Sequence, residues 1–371
     1  MIRFIMFSSA VKTAIVALSL SSAASALAQQ QTLNIYNWTD YIGPKTIEKF
    51  EAQTGIKVVY DVFDSNDTLE VKLLTGQSGY DLVVPSHNFM ARQIEADLFL
   101  PLDKKQLTNY SQLDPILMAR LDAVDPGNTY GVPYLWGTTG IAINEDMVKA
   151  ALGEHAALDS WSLLFDPATT GKLSHCGINL LDAWDEVIPS ALSYAGADVT
   201  THSTKVMKSE AVPVLNKIRG DIKTLHSSSY INGLVGGDVC VTMAWSGDAQ
   251  MAKDRSAEAE TGMNISYIIP KEGAGLWFDM MVIPKDAPNP EAAHLFLDYL
   301  MRPEVIAEVT NYVGYPNAIP ASLPLLDAEI RDNKGVYPSE QVMNNLFMFE
   351  VYPPAVDRFG SRLWGRFRAG R

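Results

Sequence analysis

Residues 33–42 read LNIYNWTDYI, and the fold turns on this stretch. Leu33, Ile35 and Tyr36, with Asn34, make a short buried strand. The chain leaves that strand through Asn37, Trp38, Thr39 and Asp40, a run that buries poorly and recognises well. Polar and aromatic residues at a strand's carboxyl end lie where open α/β sheets place ligands. The competing reading of this stretch alone is a strand-to-helix turn with Asp40 as a helix N-cap.

The residues that follow extend the pattern. A helix over 44–54 closes at Gly55, a strand covers 56–60, and a second helix over 68–74 ends near Gly76. A third strand, 80–84, ends at Pro85 and Ser86. This βαβαβ order predicts an α/β fold with a mainly parallel, doubly wound sheet, and it places Ser86 beside Trp38–Asp40. Strands over 130–134 and 139–144 flank an aromatic and glycine-containing run that reads as a crossing between lobes. Two further strand ends repeat the opening motif, and a further strand carries it inside. Residues 177–182 run into Trp184-Asp185-Glu186, with a helix over 187–194; residues 239–244 run into Trp245-Ser246-Gly247-Asp248; residues 276–283 carry Trp277 and Asp279.

The chain has 371 residues, more than a single core of ~250–300 residues accommodates. Two discontinuous lobes are therefore expected, 29–136 with 264–318 and 137–263 with 319–371. Residues 1–28 place Arg3 and Lys12 before an apolar run that ends in Ala26-Leu27-Ala28, the pattern of a secretory signal peptide. No cysteine stands at the cut to take a lipid, so a periplasmic protein without a lipid anchor is expected. No later segment is apolar for long enough to span a bilayer.

The formal charge is −14, from 29 basic and 43 acidic residues, and losing the leader makes it more negative still. That balance argues against nucleic acid as a partner and suits a cationic ligand. The two cysteines, Cys176 and Cys240, lie well inside the exported chain, where an oxidising compartment favours a bridge. The alternative, His175-Cys176 as half of a metal site, lacks partners at metal spacing.

Four of the seven tryptophans are followed within three residues by an acid: Trp38 by Asp40, Trp184 by Asp185 and Glu186, Trp245 by Asp248, and Trp277 by Asp279. Asp279 lies inside an apolar strand, where a carboxylate is costly unless paired. An apolar chain with an amine at each end needs separated carboxylates for its ammoniums. It also needs aromatic faces for its methylenes and for cation–π attraction. Taken one at a time, each acid also reads as a helix cap and each tryptophan as core.

The runs NWTDYI (37–42), VVPS (83–86), CVTMAWSGDA (240–249) and WFDMMVIPKDA (277–287) resemble the periplasmic polyamine-binding proteins of spermidine/putrescine ABC importers. The likeness extends over essentially the whole exported chain, and the cysteine spacing resembles the putrescine-binding branch. It implies a periplasmic binding protein fold, two doubly wound lobes joined by a hinge with the ligand in the cleft. It implies a monomer that delivers putrescine or spermidine to a membrane permease, with no cofactor and no metal. Carried over, the family pattern puts Trp38, Thr39, Asp40 and Ser86 on the first lobe's wall. Asp248 and Asp279 would hold one ammonium, and Asp40 and Ser86, with Glu186, would serve the other end. Trp245, Trp277, Tyr315 and Tyr41 would box the methylenes, and Cys176 and Cys240 would be bridged.

Two departures bear on the ligand. Trp277 stands where putrescine binders of this kind resemble one another in having Phe and spermidine binders tend to have Trp. His87 and Asn88 follow Ser86 where small residues or an aromatic are usual. Two other readings stay open at this level. A binder of the same fold for another solute, such as cadaverine, agmatine, an opine, a sugar or an amino acid, is one. A secreted hydrolase using paired carboxylates is the other, although no G-x-S-x-G, HExxH or P-loop occurs.

Overall fold

A computed structural model describes residues 31–370; the signal-peptide reading of 1–28 lies outside the described residues. Ten strands form one sheet: β1 (Thr32–Trp38), β2 (Lys57–Phe63), β3 (Leu82–Val83), β4 (Gly131–Asn144), β5 (Ile178–Leu180), β6 (Thr224–Leu225), β7 (Val241–Trp245), β8 (Ile265–Ile268), β9 (Gly275–Val282) and β10 (Phe347–Met348). The order along the sheet is β2-β1-β3-β9-β4-β7-β5-β6, with β10 on β9 and β8 on β4.

Two parallel wings flank an antiparallel middle. β1 pairs in parallel with β2 and β3, and β5 pairs in parallel with β6 and β7. β4 runs antiparallel to β7, β8 and β9. The wings are the βαβ units expected from the sequence, and the middle strands carry the chain between them. Alternation in β1 follows from its sequence: Leu33 and Ile35 are fully buried while Asn34 and Tyr36 are partly open.

Each wing has its own hydrophobic core. Leu33, Phe50, Leu82, Phe278 and Phe296 belong to the first; Trp161, Leu180, Ile188, Val241 and Phe367 belong to the second. Several expected boundaries move. Instead of two strands around a loop, β4 is continuous for 14 residues, because β9 hydrogen-bonds along it with one register shift between Pro133 and Leu135. Ile265 and Ala274 pack in the second core, held there by β8 on Ile141–Asn144. Ile319 and Phe349 pack in the first core.

Helix starts shift too. The helix after β1 is Thr46–Thr54, so Asp40 caps nothing; Gly55, at φ 74°, ends it as expected. The helix after β5 begins at Trp184 and runs to Tyr194, so Asp185 and Glu186 occupy its first turn, where the helix dipole favours carboxylates. Cys176 and Cys240 are joined by a disulfide that ties the start of β5 to β7. Closing a loop of this length contributes ~4 kcal/mol in the chain-entropy picture. Among the described residues no helix is long and apolar enough to cross a membrane.

Candidate functional site

The carboxyl ends of β1 and β3, the middle of β9, and the first turns of the helices Trp184–Tyr194 and Ser246–Glu258 face one another across a cavity of about 280 Å³. All eleven sequence-predicted residues line it: Trp38, Thr39, Asp40, Tyr41, Ser86, Glu186, Trp245, Asp248, Trp277, Asp279 and Tyr315.

Asp279 sits on the floor. It is 4% exposed, and its Oδ1 accepts the Ser86 hydroxyl at 2.7 Å. Ser86 is itself held by Asn66, whose amide donates to the hydroxyl while its carbonyl oxygen accepts the Ser86 N–H, each at 3.0 Å. Burial pushes the Asp279 carboxyl up to about 7, against the pull of the hydroxyls of Ser86 and Tyr41. The family pattern groups Ser86 with Asp40. The structure groups it with Asp279, because β3 and β9 are sheet neighbours and Ser86 bridges to Asp279 directly.

Asp248 takes a hydroxyl on each carboxylate oxygen, from Tyr230 and Tyr315, both at 2.6 Å, and its own N–H donates to the Tyr315 oxygen at 3.1 Å. Tyr315 comes from the first core and Tyr230 from the second, so Asp248 stitches the two sides. Its pKa rises to about 6, mainly through burial. Glu186 accepts the Thr139 hydroxyl at 2.5 Å and the Trp245 indole N–H at 3.0 Å. Burial, and next the neighbouring Asp185, push it up to about 8. These three carboxyls on the cavity wall each have neutral hydrogen-bond donors and, among the described residues, no ion pair. A cation brought among them would restore their ionised form.

The rings are placed by strand register and by glycine. Trp277 opposes Gly137 across β9 and β4; a Cβ at 137 would come within 2.6 Å of the indole. A Cβ at Gly247 would overlap the Tyr315 ring. Those two openings let the indole and the phenol approach at 5.4 Å between centroids, with Trp38 edge-on to Trp245 at 6.0 Å across the cavity. The Trp38 indole N–H is tied to the Val84 carbonyl at 2.9 Å.

Asp40 is different. It has a left-handed φ of 56°, it is half exposed, and its carboxylate pairs with Arg255 at 2.9 Å. Sequence reasoning missed Arg255, although a signal existed. Asp248, Met251 and Arg255 recur at i, i+3 and i+7 on one helix face, and all three line the cavity. Phe349 was also missed, because β10 has only two residues. It lines the cavity beside Gly275, and its carbonyl oxygen meets His87 Nε2 at 3.1 Å. The Phe278 N–H donates to the other ring nitrogen of His87 at 3.3 Å, and burial pushes the imidazole down to about 4.

A second compartment of about 450 Å³ adjoins the first and shares Trp38, Asp185, Glu186 and Trp245 with it. Asp67 and Asp182 line it, as do residues of the terminal helix Pro354–Arg368. Asp185 rises to about 6 there, through burial and then the nearby Asp67.

Comparison with known proteins agrees with this architecture. Residues 45–337 match the family model of bacterial extracellular solute-binding proteins. The chain is 46% identical to the putrescine-binding periplasmic protein PotF of Escherichia coli, over 96% of each chain. It is 46% identical to the putrescine-binding periplasmic protein SpuD of Pseudomonas aeruginosa, covering 96% of this chain and 98% of that one. Identity to the spermidine/putrescine-binding periplasmic protein of Escherichia coli is 34%, over 89% of each. Among solved structures, the spermidine/putrescine ABC transporter substrate-binding protein PotD of Streptococcus pneumoniae superposes with a TM-score of 0.76 at 29% identity, covering 92% of this chain and 99% of that one. The chain belongs to the bacterial extracellular solute-binding proteins, which bind and deliver rather than catalyse, in the group that includes these periplasmic relatives.

Proposed function

We propose that this protein captures a polyamine, putrescine or spermidine, outside the cytoplasm and delivers it to the permease of an ABC importer. The observation that carries this reading is the set of three carboxyls, Asp248, Asp279 and Glu186, raised by burial, without ion pairs among the described residues, and walled by indole and phenol rings. Two ammoniums joined by methylenes supply what that set lacks: charge at separated points and an apolar, polarisable middle. An anionic or neutral solute would leave the carboxyls uncompensated.

Asp279 with Glu186 holds one ammonium, and Asp248 with Thr39 serves the other, while Trp38, Trp245, Trp277, Tyr41 and Tyr315 enclose the methylenes. Asp40 acts at the rim through Arg255. The adjoining compartment, with Asp67 and Asp185 on its wall, favours a triamine as a second ligand, its third nitrogen beyond Glu186. We further propose lobe boundaries at β4 and β9, release from the membrane by cleavage of the 1–28 leader without lipidation, and action as a monomer.

Thermal-shift titration tests the reading. Putrescine and spermidine each raise Tm in a concentration-dependent way, while glucose, glutamate and γ-aminobutyrate do not. Stabilisation by the neutral or anionic solutes and not by the polyamines would sink it.

A further inference from the structure

The helix Ser246–Glu258 belongs to the second core through Ala249 and Ala252, yet it touches the first lobe on two sides. Toward the ligand cavity it presents Asp248, Met251 and Arg255, and from there Asp248 reaches Tyr315 and Arg255 reaches Asp40. Its other side, with Ala249, Gln250 and Lys253, lines a separate groove of about 410 Å³. At 3.6 residues per turn the two sets lie about 180° apart, so the helix stands between the cavity and the groove.

The far wall of the groove is the segment 328–336, which contributes Ala328, Glu329 and Asp332. That segment is anchored on the first lobe at both ends. Before it, the Asp327 N–H donates to Asn311 Oδ1 at 3.0 Å, on the helix Pro303–Val313. After it, Tyr337 lies edge-on to Trp136 at 6.2 Å and packs against the first core. Two contacts join the helix to this wall: Lys253 pairs with Glu329 at 2.8 Å, and the Asn333 amide donates to Gln250 Oε1 at 3.0 Å. Nearer the start of the helix the first lobe comes much closer. A Cβ at Gly247 would overlap the Tyr315 ring, and one at Gly314 would come within 3.0 Å of the Gln250 Cβ.

We propose that this groove is the clearance the helix needs to withdraw from the ligand, with the close approach at Gly247 and Gly314 as the fulcrum, so that filling the groove holds the cleft shut. This rests on the two-lobed solute-binding reading above. Asp248 and Arg255 part from Tyr315 and Asp40 only when the helix moves away from the cavity, and that direction leads into the groove. The far wall belongs to the first lobe, so it does not retreat with the helix. Lys253 and Glu329 are long and exposed, and such a pair, worth ~0–1 kcal/mol, does not bar the travel. Ala328, small and exposed on that wall, leaves the clearance open. The residue at 328 thus sets the balance between open and shut forms from behind the helix, without touching the ligand. Closing an open form costs affinity, and blocking the withdrawal removes that cost.

The test fills the groove in the full exported protein. Ala328→Trp places an indole there and Ala328→Leu a smaller group, while Ala321→Trp, on the exposed turn Pro320–Leu325 outside the groove, is the control. Small-angle X-ray scattering without ligand should show Ala328→Trp more compact than wild type. Calorimetry with stopped-flow kinetics should show it binding putrescine about threefold or more tighter, through slower dissociation. Ala328→Leu should move both readings the same way by less, and decides the matter if the indole prevents folding; Ala321→Trp should move neither. Unchanged scattering and affinity in a folded, groove-filled variant overturns the proposal, as does weaker binding there or an equal change in Ala321→Trp. Failure of the wild-type protein to bind putrescine would instead strike the functional reading, and the scattering comparison would still decide the role of the groove.

Discussion

The rim and the floor of the cleft both use aspartate, and they use it in opposite ways. At the rim, Asp40 is half exposed and answered by the chain's own Arg255. On the floor, Asp279 is buried and, among the described residues, answered only by neutral donors. An exposed ion pair contributes ~0–1 kcal/mol, whereas a buried carboxylate without a counter-charge is costly until a cation arrives. On the proposed reading, affinity for a cation belongs to the floor, and the rim pair forms as the two sides of the cleft meet.

The sharpest way to break that contrast is Asp279→Asn. The amide keeps a carbonyl oxygen for the Ser86 hydroxyl and removes the charge. A charged hydrogen bond is worth ~1.5–3 kcal/mol, so polyamine affinity should fall about tenfold to a hundredfold. Without ligand, Tm should hold or rise, since the variant no longer buries an ionisable group. Calorimetry beside thermal denaturation checks both; unaltered affinity would remove Asp279 from the site.

Titration gives the next largest effect. Alone, the carboxyls of Asp248, Asp279 and Glu186 lie at about 6, 7 and 8, above their ordinary range. A bound ammonium favours the ionised forms and lowers these values, so binding near neutrality expels protons. Affinity should rise with pH between about 6 and 8, by up to tenfold per unit for each proton released. Calorimetry in buffers of different ionisation enthalpy counts the protons; equal heats in all of them would contradict the assignment.

Trp277→Phe follows. The indole fits because Gly137 leaves it room, and a phenyl ring there enlarges the cavity on one side only. The ratio of putrescine to spermidine affinity should move toward putrescine by several-fold, the scale of one cation–π or small packing contact of ~1 kcal/mol. A constant ratio would mean that ligand length is set elsewhere, with Phe349 and the Asp185 compartment the next places to cut.

What the sequence made legible follows the same division. The floor could be read because strand ends announce themselves: apolar runs stop at Trp38, Ser86 and Trp245, and an acid inside the apolar strand 276–283 has few explanations besides function. The wings could be read from their βαβ order. The middle of the sheet could not, since Pro133 and Gly137 look like breaks in a strand until β9 is seen to pair along β4. The grouping of Ser86 with Asp279 was hidden for the same reason: it depends on which strands are neighbours, and β3 and β9 are separated by nearly 200 residues of chain. The rim was hardest. Arg255 reaches Asp40 from the opposite side of the cleft, and a two-turn helical spacing was its one trace in the sequence.

Arg255→Ala carries the smallest expected effect and tests the rim side of the contrast most directly. Losing one exposed ion pair should lower polyamine affinity no more than about threefold to fivefold. The loss should fall on the dissociation rate, because the pair forms only after Asp40 and the helix Ser246–Glu258 have come together. Raising the ionic strength should shrink the difference between variant and wild type, as screening removes from the wild type what the mutation removes outright. Stopped-flow association and dissociation rates, measured at low and high salt, separate these outcomes. An affinity loss as large as that of Asp279→Asn, or one confined to the association rate, would show Arg255 shaping the floor, and Asp40 would then return to the ligand's first contacts.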